Sequence, residues 1–364
     1  MIMLRIHAYQ LPLLNPWRTA HGIIRHRCGW LVAADDGQMC GFGDCAPLPE
    51  AGTEQPAAAQ ARLMQWCAQA QTLDIASLLA CLAMALPTAT PAADAAVETA
   101  LLDLAARQAR LPLRQWLTAQ TADQIAVNAA LGVLDGGALQ RLHHSRHQGY
   151  QVFKFKVGVL ELATERQQLR ALLMALSPGQ QLRLDANQAW DWATARQFLT
   201  AIAALPGAPE GIDALEEPLR QPTVATLAAL QAHTAIPLAM DESLAGQWAD
   251  CDIANLPVRR LVLKPGVIGG LRPTLALAQQ ALAAGIEPVL TSLVESAAGL
   301  WAQAQLAAAL PCALTHGLAT ATWLAADLGA PPLPQNGVIR LPAESGSGFV
   351  FNSGNLASSQ LAKI

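Results

Sequence analysis

The stretch YQVFKFKVGV, residues 150–159, reads as a strand whose two faces have opposite character. Side chains alternate across a strand. Phe153, Phe155 and Val157 therefore share one face, and Lys154 and Lys156 share the other. Two ammonium groups on one face of a buried strand repel each other and are costly to take out of water. The lysine face must look toward carboxylates, which have to come from elsewhere in the chain.

Downstream and upstream of this strand, short apolar runs recur: IAVNAALGV (125–133), QQLRLDAN (180–187), IDALEEP (212–218), PLAMDES (237–243), RRLVLKPG (259–266), EPVLTSLVES (287–296) and ALTHGLAT (313–320). Between them lie Ala-, Leu- and Gln-rich segments with helical spacing, among them ATERQQLRALLMAL (163–176), ATARQFLTAIAAL (193–205) and TLALAQQALAAG (274–285). A repeat of roughly 25 to 30 residues is the length of one strand–helix unit in a parallel α/β structure. About eight such units predict a TIM-like (β/α)8-type barrel over residues 123–322. An open doubly wound sheet is the alternative, but no GxGxxG follows the first strand, and GVIGGL (266–271) lacks the nucleotide-binding spacing.

The chain before the barrel reads differently. LRIHAYQLPL (4–13) and HRCGWLVAADDGQMCGFGDCAPLP (26–49) predict antiparallel strands, the second with a turn at DDGQ, and Ala-rich segments after them predict helices. Residues 1–122 are expected to form an α+β capping domain. The last residues, 323–364, return to short Gly-punctuated strands in NGVIRLPAESGSGFVF and are expected to rejoin that domain.

Composition narrows the function classes. Apolar residues make up 52% of the 364 and charged residues 14%, which suits a compact protein rather than a disordered one. A net charge of −4 provides no basic stripe for nucleic acid or an anionic membrane, so a small-molecule partner is expected. Seven scattered cysteines, with no CxxC, suggest neither a disulfide framework nor a zinc site and fit a reducing cytoplasm. No signal peptide is recognised at the N-terminus, and the uncharged stretch at 75–93 is broken by Pro87 and Pro91, against a membrane span. Oligomeric state is not legible in the sequence.

In a barrel of this type the chemistry sits at the C-terminal strand ends. Those ends carry Lys154 and Lys156, Asp185 and Asn187, Glu216 and Glu217, Asp241 and Glu242, Lys264, and Glu295. In LRLDAN, Arg183, Asp185 and Asn187 share a face; in LEEP, alternation leaves open whether Glu216 or Glu217 points inward. One carboxylate each from DAN, EEP and DES would make an all-oxygen site suited to Mg²⁺, and no His or Cys stands there to favour Zn²⁺. With lysines on either side, such a site can remove a proton next to a carboxylate, the cations stabilising the enediolate. The neighbouring positive charges are expected to depress the base lysine's pKa.

The ordered set KxK, DAN, EEP, DES and KP resembles the enolase superfamily in its muconate-lactonizing-enzyme-like subgroup, and the likeness extends to GFGDCAPLPEAGTE (41–54). That superfamily is also a standing example of Lys or His bases working with Mg²⁺. The resemblance implies Asp185, Glu216 and Asp241 as Mg²⁺ ligands, with Mn²⁺ able to substitute, and Lys156 and Lys264 as the catalytic lysines on opposite faces of a carboxylate substrate. It places Lys154 near the metal-bound carboxylate and makes residues 14–24, with Arg18 and His21, a loop that closes over the site.

Within the subgroup, LRLDANQAW, LVLKPGVIGGL and TSLVESAAGL look most like the o-succinylbenzoate synthases. Dipeptide epimerases usually carry DxD at the eighth strand, where this chain has THGLAT. The resemblance implies that Lys156 abstracts the proton alpha to the ring carboxylate and later protonates the departing hydroxyl, while Lys264 lies charged against the enediolate. Arg183, Ser292 and Gly317 are the expected substrate contacts. N-succinylamino acid racemase is the alternative within the subgroup, since two lysines also suit racemisation. A Schiff-base lysine at Lys264 would not require three carboxylates, and a non-catalytic scaffold would be expected to have lost one of these groups. Glu217 and Glu242 are expected to form salt bridges behind the ligands, and His143, His144 and His147 an exposed helix face.

Overall fold

The structure is a computed structural model that describes residues 2–19, 22–245, 252–352 and 361–362. Its first strands, β1 (Met3–Thr19), β2 (Gly22–Asp35) and β3 (Cys40–Cys45), form an antiparallel sheet with the short β13 (Leu361–Ala362) paired to β1. The β2–β3 turn falls at the expected DDGQ, where Asp36 N donates to Met39 O. Against this sheet pack α1 (Pro56–Ala70) and α3 (Pro91–Gln108), with α2 (Ile75–Met84) lying on α3, followed by α4 (Leu113–Leu117). The Ala and Gly content of these segments has a packing reason. A Cβ at Gly41 would sit 2.3 Å from the Ala100 carbonyl oxygen, and one at Gly43 would sit 2.0 Å from that of Ala96. Only bare backbone on β3 lets the alanine face of α3 approach so closely.

The second unit is a curled parallel sheet. Its strands are β5 (Ala129–Val133), β6 (Val152–Lys156), β7 (Gln181–Asp185), β8 (Ile212–Glu216), β9 (Leu238–Met240), β10 (Arg260–Leu263) and β11 (Glu287–Leu290), paired in sequence order. Between and after these strands run α5 (Ala138–His147), α6 (Leu162–Ala175), α7 (Trp192–Ala203), α8 (Val224–Ala232), the short α9 (Glu242–Ala245) and α10 (Pro265–Ile268), α11 (Leu271–Ala283) and α12 (Ala297–Ala308). Phe153, Phe155, Leu182, Leu184 and Leu215 are fully buried in the main core. The opposite faces of the same strands carry the charged residues, as the alternation requires.

Two expectations need correction. Seven strands, not eight, pair in the parallel sheet among the described residues. The segment ALTHGLAT closes the curl by single bridges only, His316 to Val127 on one side and Gly317 to Thr291 on the other. The run at 125–133 also divides: β4 (Gln124–Ala126) pairs antiparallel with β12 (Val338–Arg340) outside the parallel sheet. Both ends of the ladder are where the strands run out of partners with matching register.

Among the described residues no helix is long and apolar enough to cross a membrane. Residues 14–19 and 22–24 belong to a β1–β2 hairpin whose register slips between Pro12 and Trp17 and resumes at Trp17 opposite Ile24. His21 and Cys251 lie outside the described residues.

Candidate active site

In-register parallel pairing brings the charged strand ends into one row. Lys156 stands opposite Asp185, and Asp185 opposite Glu216. Asp241 follows β9, and Lys264 follows β10. The side chains meet: Lys154 Nζ lies 2.9 Å from Asp185 Oδ2 and also contacts Glu216 Oε2, while Lys264 Nζ lies 2.5 Å from Asp241 Oδ1. The ambiguity in LEEP is resolved here. Glu216 faces Lys154, whereas Glu217 adopts φ +42° and turns to accept the Asp241 N–H at 2.6 Å and the Ser243 N–H at 3.0 Å and hydroxyl at 2.6 Å.

Lys154 and Lys264 are held in their charged forms. Burial works against the charged form of Lys154, but Asp185 and Glu216 more than offset it and hold the ammonium above the usual lysine range. Lys264 is raised in the same way by Asp241. The reason is that carboxylates, not other lysines, are the nearest charges. The Lys156 side chain makes no hydrogen bond or ion pair with another described residue, although the Lys156 carbonyl accepts the Leu134 N–H at 3.0 Å.

The donor set fits a divalent cation. Asp185, Glu216, Glu217, Asp241 and Glu242 place five carboxyls around three lysines, leaving an excess of two acidic groups. That crowding is visible in Glu242, which burial and then Asp241 and Glu217 push up to about 8. Burial likewise pushes Glu217 up to about 7. As they stand, Asp185 and Glu216 turn to Lys154 and Asp241 turns to Lys264. Among the described residues no three such side chains converge as a closed coordination shell. The oxygen-only donors remain those suited to Mg²⁺. Glu217 and Glu242 form no salt bridge among the described residues, contrary to expectation; Glu217 braces backbone instead, and Glu242 accepts from Asn187 Nδ2 at 3.4 Å.

Ser292 and Gly317 lie side by side at the end of β11. Ser292 Oγ is 2.5 Å from Thr320 Oγ1, and the Gly317 carbonyl accepts from Thr291 Oγ1 at 3.1 Å. A Cβ on Gly317 would come within 2.5 Å of Thr291 Oγ1, so this contact demands glycine.

Arg183, the third expected substrate contact, is tied to three partners. It is buried, and each guanidinium nitrogen donates one bond, to Asp213 Oδ2 at 2.6 Å, Asn128 Oδ1 at 3.2 Å and the Thr315 carbonyl at 2.9 Å. It stands 3.9 Å from Glu216 Oε1 and braces the site from below.

Comparison with known proteins places this geometry. The Enolase C-terminal domain-like family model matches residues 138–354, and the MenC N-terminal domain model matches residues 1–90. The o-succinylbenzoate synthase of Yersinia pseudotuberculosis is 32% identical over 338 residues, covering 90% of this chain and 94% of the relative. The chain belongs to the o-succinylbenzoate synthase family of the enolase superfamily.

The fold of this synthase-family chain is shared widely. The N-succinyl Arg/Lys racemase from Bacillus cereus superposes with a TM-score of 0.88 at 23% identity, covering 100% of this chain and 98% of that one. The muconate lactonizing enzyme from Pseudomonas fluorescens gives 0.85 at 22% identity, covering 99% of each chain. At those identities the likeness concerns the (β/α)8-type barrel and its capping unit.

Sequence reading missed several residues that support the synthase site. Asp213 bridges Arg183 and Arg260, each at 2.6 Å, and Glu165 accepts the N–H groups of Gly158, Val159 and Leu160 just beyond Lys156. Asp213 sits mid-strand, where a register slip between β7 and β8 decides its partner, so no local pattern announces it. Glu295 accepts from Leu293 N at 2.6 Å and Gln303 Nε2 at 2.7 Å and makes no ion pair among the described residues. His143 and His144 keep to the α5 surface with Arg146 and Gln148, as expected of an exposed face.

His316, beneath the site, provides a pH prediction. Its Nδ1 accepts the Leu290 N–H at 3.1 Å, and burial, followed by Arg183, lowers its pKa to about 3. Because the folded value is depressed, the stabilising effect of the neutral ring is fully present above about pH 6.5 and is lost as pH falls toward 3. Urea titrations should show wild type losing roughly 1.4 kcal/mol more per pH unit in that window than His316→Asn. Parallel pH profiles for the two proteins would refute the assignment.

Proposed function

We infer that the protein is an o-succinylbenzoate synthase. It removes water from 2-succinyl-6-hydroxy-2,4-cyclohexadiene-1-carboxylate to give o-succinylbenzoate, the dehydration that the resemblance assigns to menaquinone biosynthesis. The observation that carries this reading is a relative of that activity aligned over 90% of the chain. The charged row at the barrel mouth supports it.

Lys156, unpaired and opposite Asp185, takes the proton alpha to the ring carboxylate. The electron pair moves into the carboxylate as an enediolate, returns to expel the hydroxyl, and the Lys156 ammonium protonates that leaving group as water. Lys264, kept charged by Asp241, faces the enediolate as a fixed cation. Lys154 favours the ionised forms of Asp185 and Glu216. Mg²⁺, or Mn²⁺ in its place, would be held by Asp185, Glu216 and Asp241, and when bound supplies positive charge against the substrate carboxylate. Ser292 and Gly317 line the far side as candidate contacts for the succinyl group.

We take residues 1–122 as a capping domain, 123–322 as the catalytic barrel and 323–364 as a returning segment, a division supported by the pairing of Leu361–Ala362 with β1. Free cysteines at the six described positions suit a cytoplasmic enzyme.

The test is loss of the cyclohexadiene absorbance with purified protein. Turnover that needs Mg²⁺ and stops with EDTA is expected. No absorbance loss with Mg²⁺ present would sink the reading, and alpha-proton exchange in D₂O with N-succinylamino acids would then test the racemase alternative.

A further inference from the structure

The loop after β11 holds a backbone conformation that its own residues do not favour. Val294 has φ +61°, the left-handed region, where a β-branched side chain crowds the backbone. Such outliers persist only where surrounding contacts over-determine them, and they gather at functional sites. Local bonds supply part of the support, with Leu293 N donating to Glu295 Oε2 at 2.6 Å and Val294 N to Ser292 Oγ at 3.3 Å.

The remainder comes from the antiparallel sheet. Arg27, buried on β2, donates Nε to the Val294 carbonyl at 3.2 Å, and its two other nitrogens hold the Pro47 and Ala46 carbonyls at 3.3 and 2.7 Å. Asp44, at the end of β3, accepts the Ser296 N–H at 2.7 Å and is itself fixed by the Tyr9 hydroxyl at 2.6 Å. Ser296 is the N-cap of α12, a position where a serine hydroxyl ordinarily satisfies a helix N–H. Its side chain makes no capping bond. Carboxylates from outside the helix hold its start: Asp44 takes the N–H of Ser296 itself and Asp327 Oδ1 takes that of Ala297 at 2.8 Å, so the sheet supplies one of the two anchors.

This loop borders the reacting groups. The Leu293 side chain reaches within 3.3 Å of where a Cβ on Gly266 would stand, two residues after Lys264. Ser292 sits at the other end of the same turn.

We propose that Arg27 and Asp44 are positioning residues: they hold the left-handed turn at Val294 and thereby set Ser292 and Leu293 against the substrate and the Lys264 loop. Docking of the antiparallel sheet is in this way coupled to assembly of the site. The activity readout rests on the synthase reading; the structural readout does not.

Kinetics of Arg27→Met, Val294→Gly and the double variant test the coupling in the full-length, Mg²⁺-loaded protein, at a temperature where each is folded. Glycine adopts φ +61° without crowding. Arg27→Met is expected to lose about tenfold or more in kcat/KM, Val294→Gly to stay within about twofold, and the double variant to recover about threefold or more over Arg27→Met. A double variant no better than Arg27→Met would mean that Arg27 merely joins the two units, and overturns the proposal. Amide exchange of residues 293–297 is the second measurement, expected to speed by about tenfold in Arg27→Met and Asp44→Ala. Unchanged exchange overturns the proposal whatever the activity. Faster exchange in variants of a protein with no turnover would sustain the clamp and sink the synthase reading alone. Should Arg27→Met fail to fold, Arg27→Lys, which keeps the charge but cannot span all three carbonyls, replaces it in every comparison.

Discussion

Lys156→Ala is expected to lower kcat for loss of the cyclohexadiene absorbance by about 10³-fold, within the range that a positioned acid–base group contributes. The effect is large because the proposed mechanism uses this amine twice, first to take the alpha proton and then to protonate the departing hydroxyl. No neighbour can stand in for it. Lys154 and Lys264 lie against carboxylates that hold their ammonium groups charged, so neither offers a free base. Circular dichroism and Mg²⁺ affinity should stay near wild type, since the Lys156 side chain makes no ion pair or hydrogen bond among the described residues and the substitution keeps its backbone bond to Leu134. A variant retaining more than about a tenth of wild-type kcat would move the base elsewhere.

Lys154→Met should act on stability and metal response together. Asp185 and Glu216 are buried and both lean on the Lys154 ammonium. Removing one partner of a buried ion pair strands the remaining charge, a loss of about 3–5 kcal/mol in comparable cases. The lower end, about 3 kcal/mol, is expected here because the Lys154 side chain is 21% exposed and water can partly reach the site. In EDTA, urea denaturation should report that loss. Added Mg²⁺ should restore a larger increment to Lys154→Met than to wild type, because a cation binding only the folded state stabilises it by mass action and now meets uncompensated carboxylates. Equal Mg²⁺ increments in the two proteins would separate Lys154 from the proposed metal ligands.

Much of this was readable before any coordinates. Period-two alternation is a local property of a strand, so the division of Phe153 and Phe155 from Lys154 and Lys156 carried over intact into buried core and barrel mouth. Parallel strands in register also align their ends, which is why the lysines at 154 and 264 and carboxylates far apart in sequence could be expected to meet. The turn at DDGQ and the helix at 163–175 rest on equally local chemistry.

The strand–helix rhythm, the inward-facing charges and the family follow from local pattern alone. Tertiary structure alone decided which partner each charge has. Glu216 and Glu217 are adjacent and identical in type; only the left-handed backbone at Glu217 sends one toward Lys154 and the other toward the Asp241 amide. Arg183 shares a face with Asp185, and only the fold decides that Asp213, Asn128 and Thr315 each take one of its donors. The eighth strand shrank to two bridges because ladder length depends on both neighbours. Arg27 and Val294 are 267 residues apart and meet only when the antiparallel sheet sits against the barrel. Alternation and propensity act within a few residues, whereas the partner of a buried polar group is set by which distant segments close around it and by the cost of leaving it unpaired.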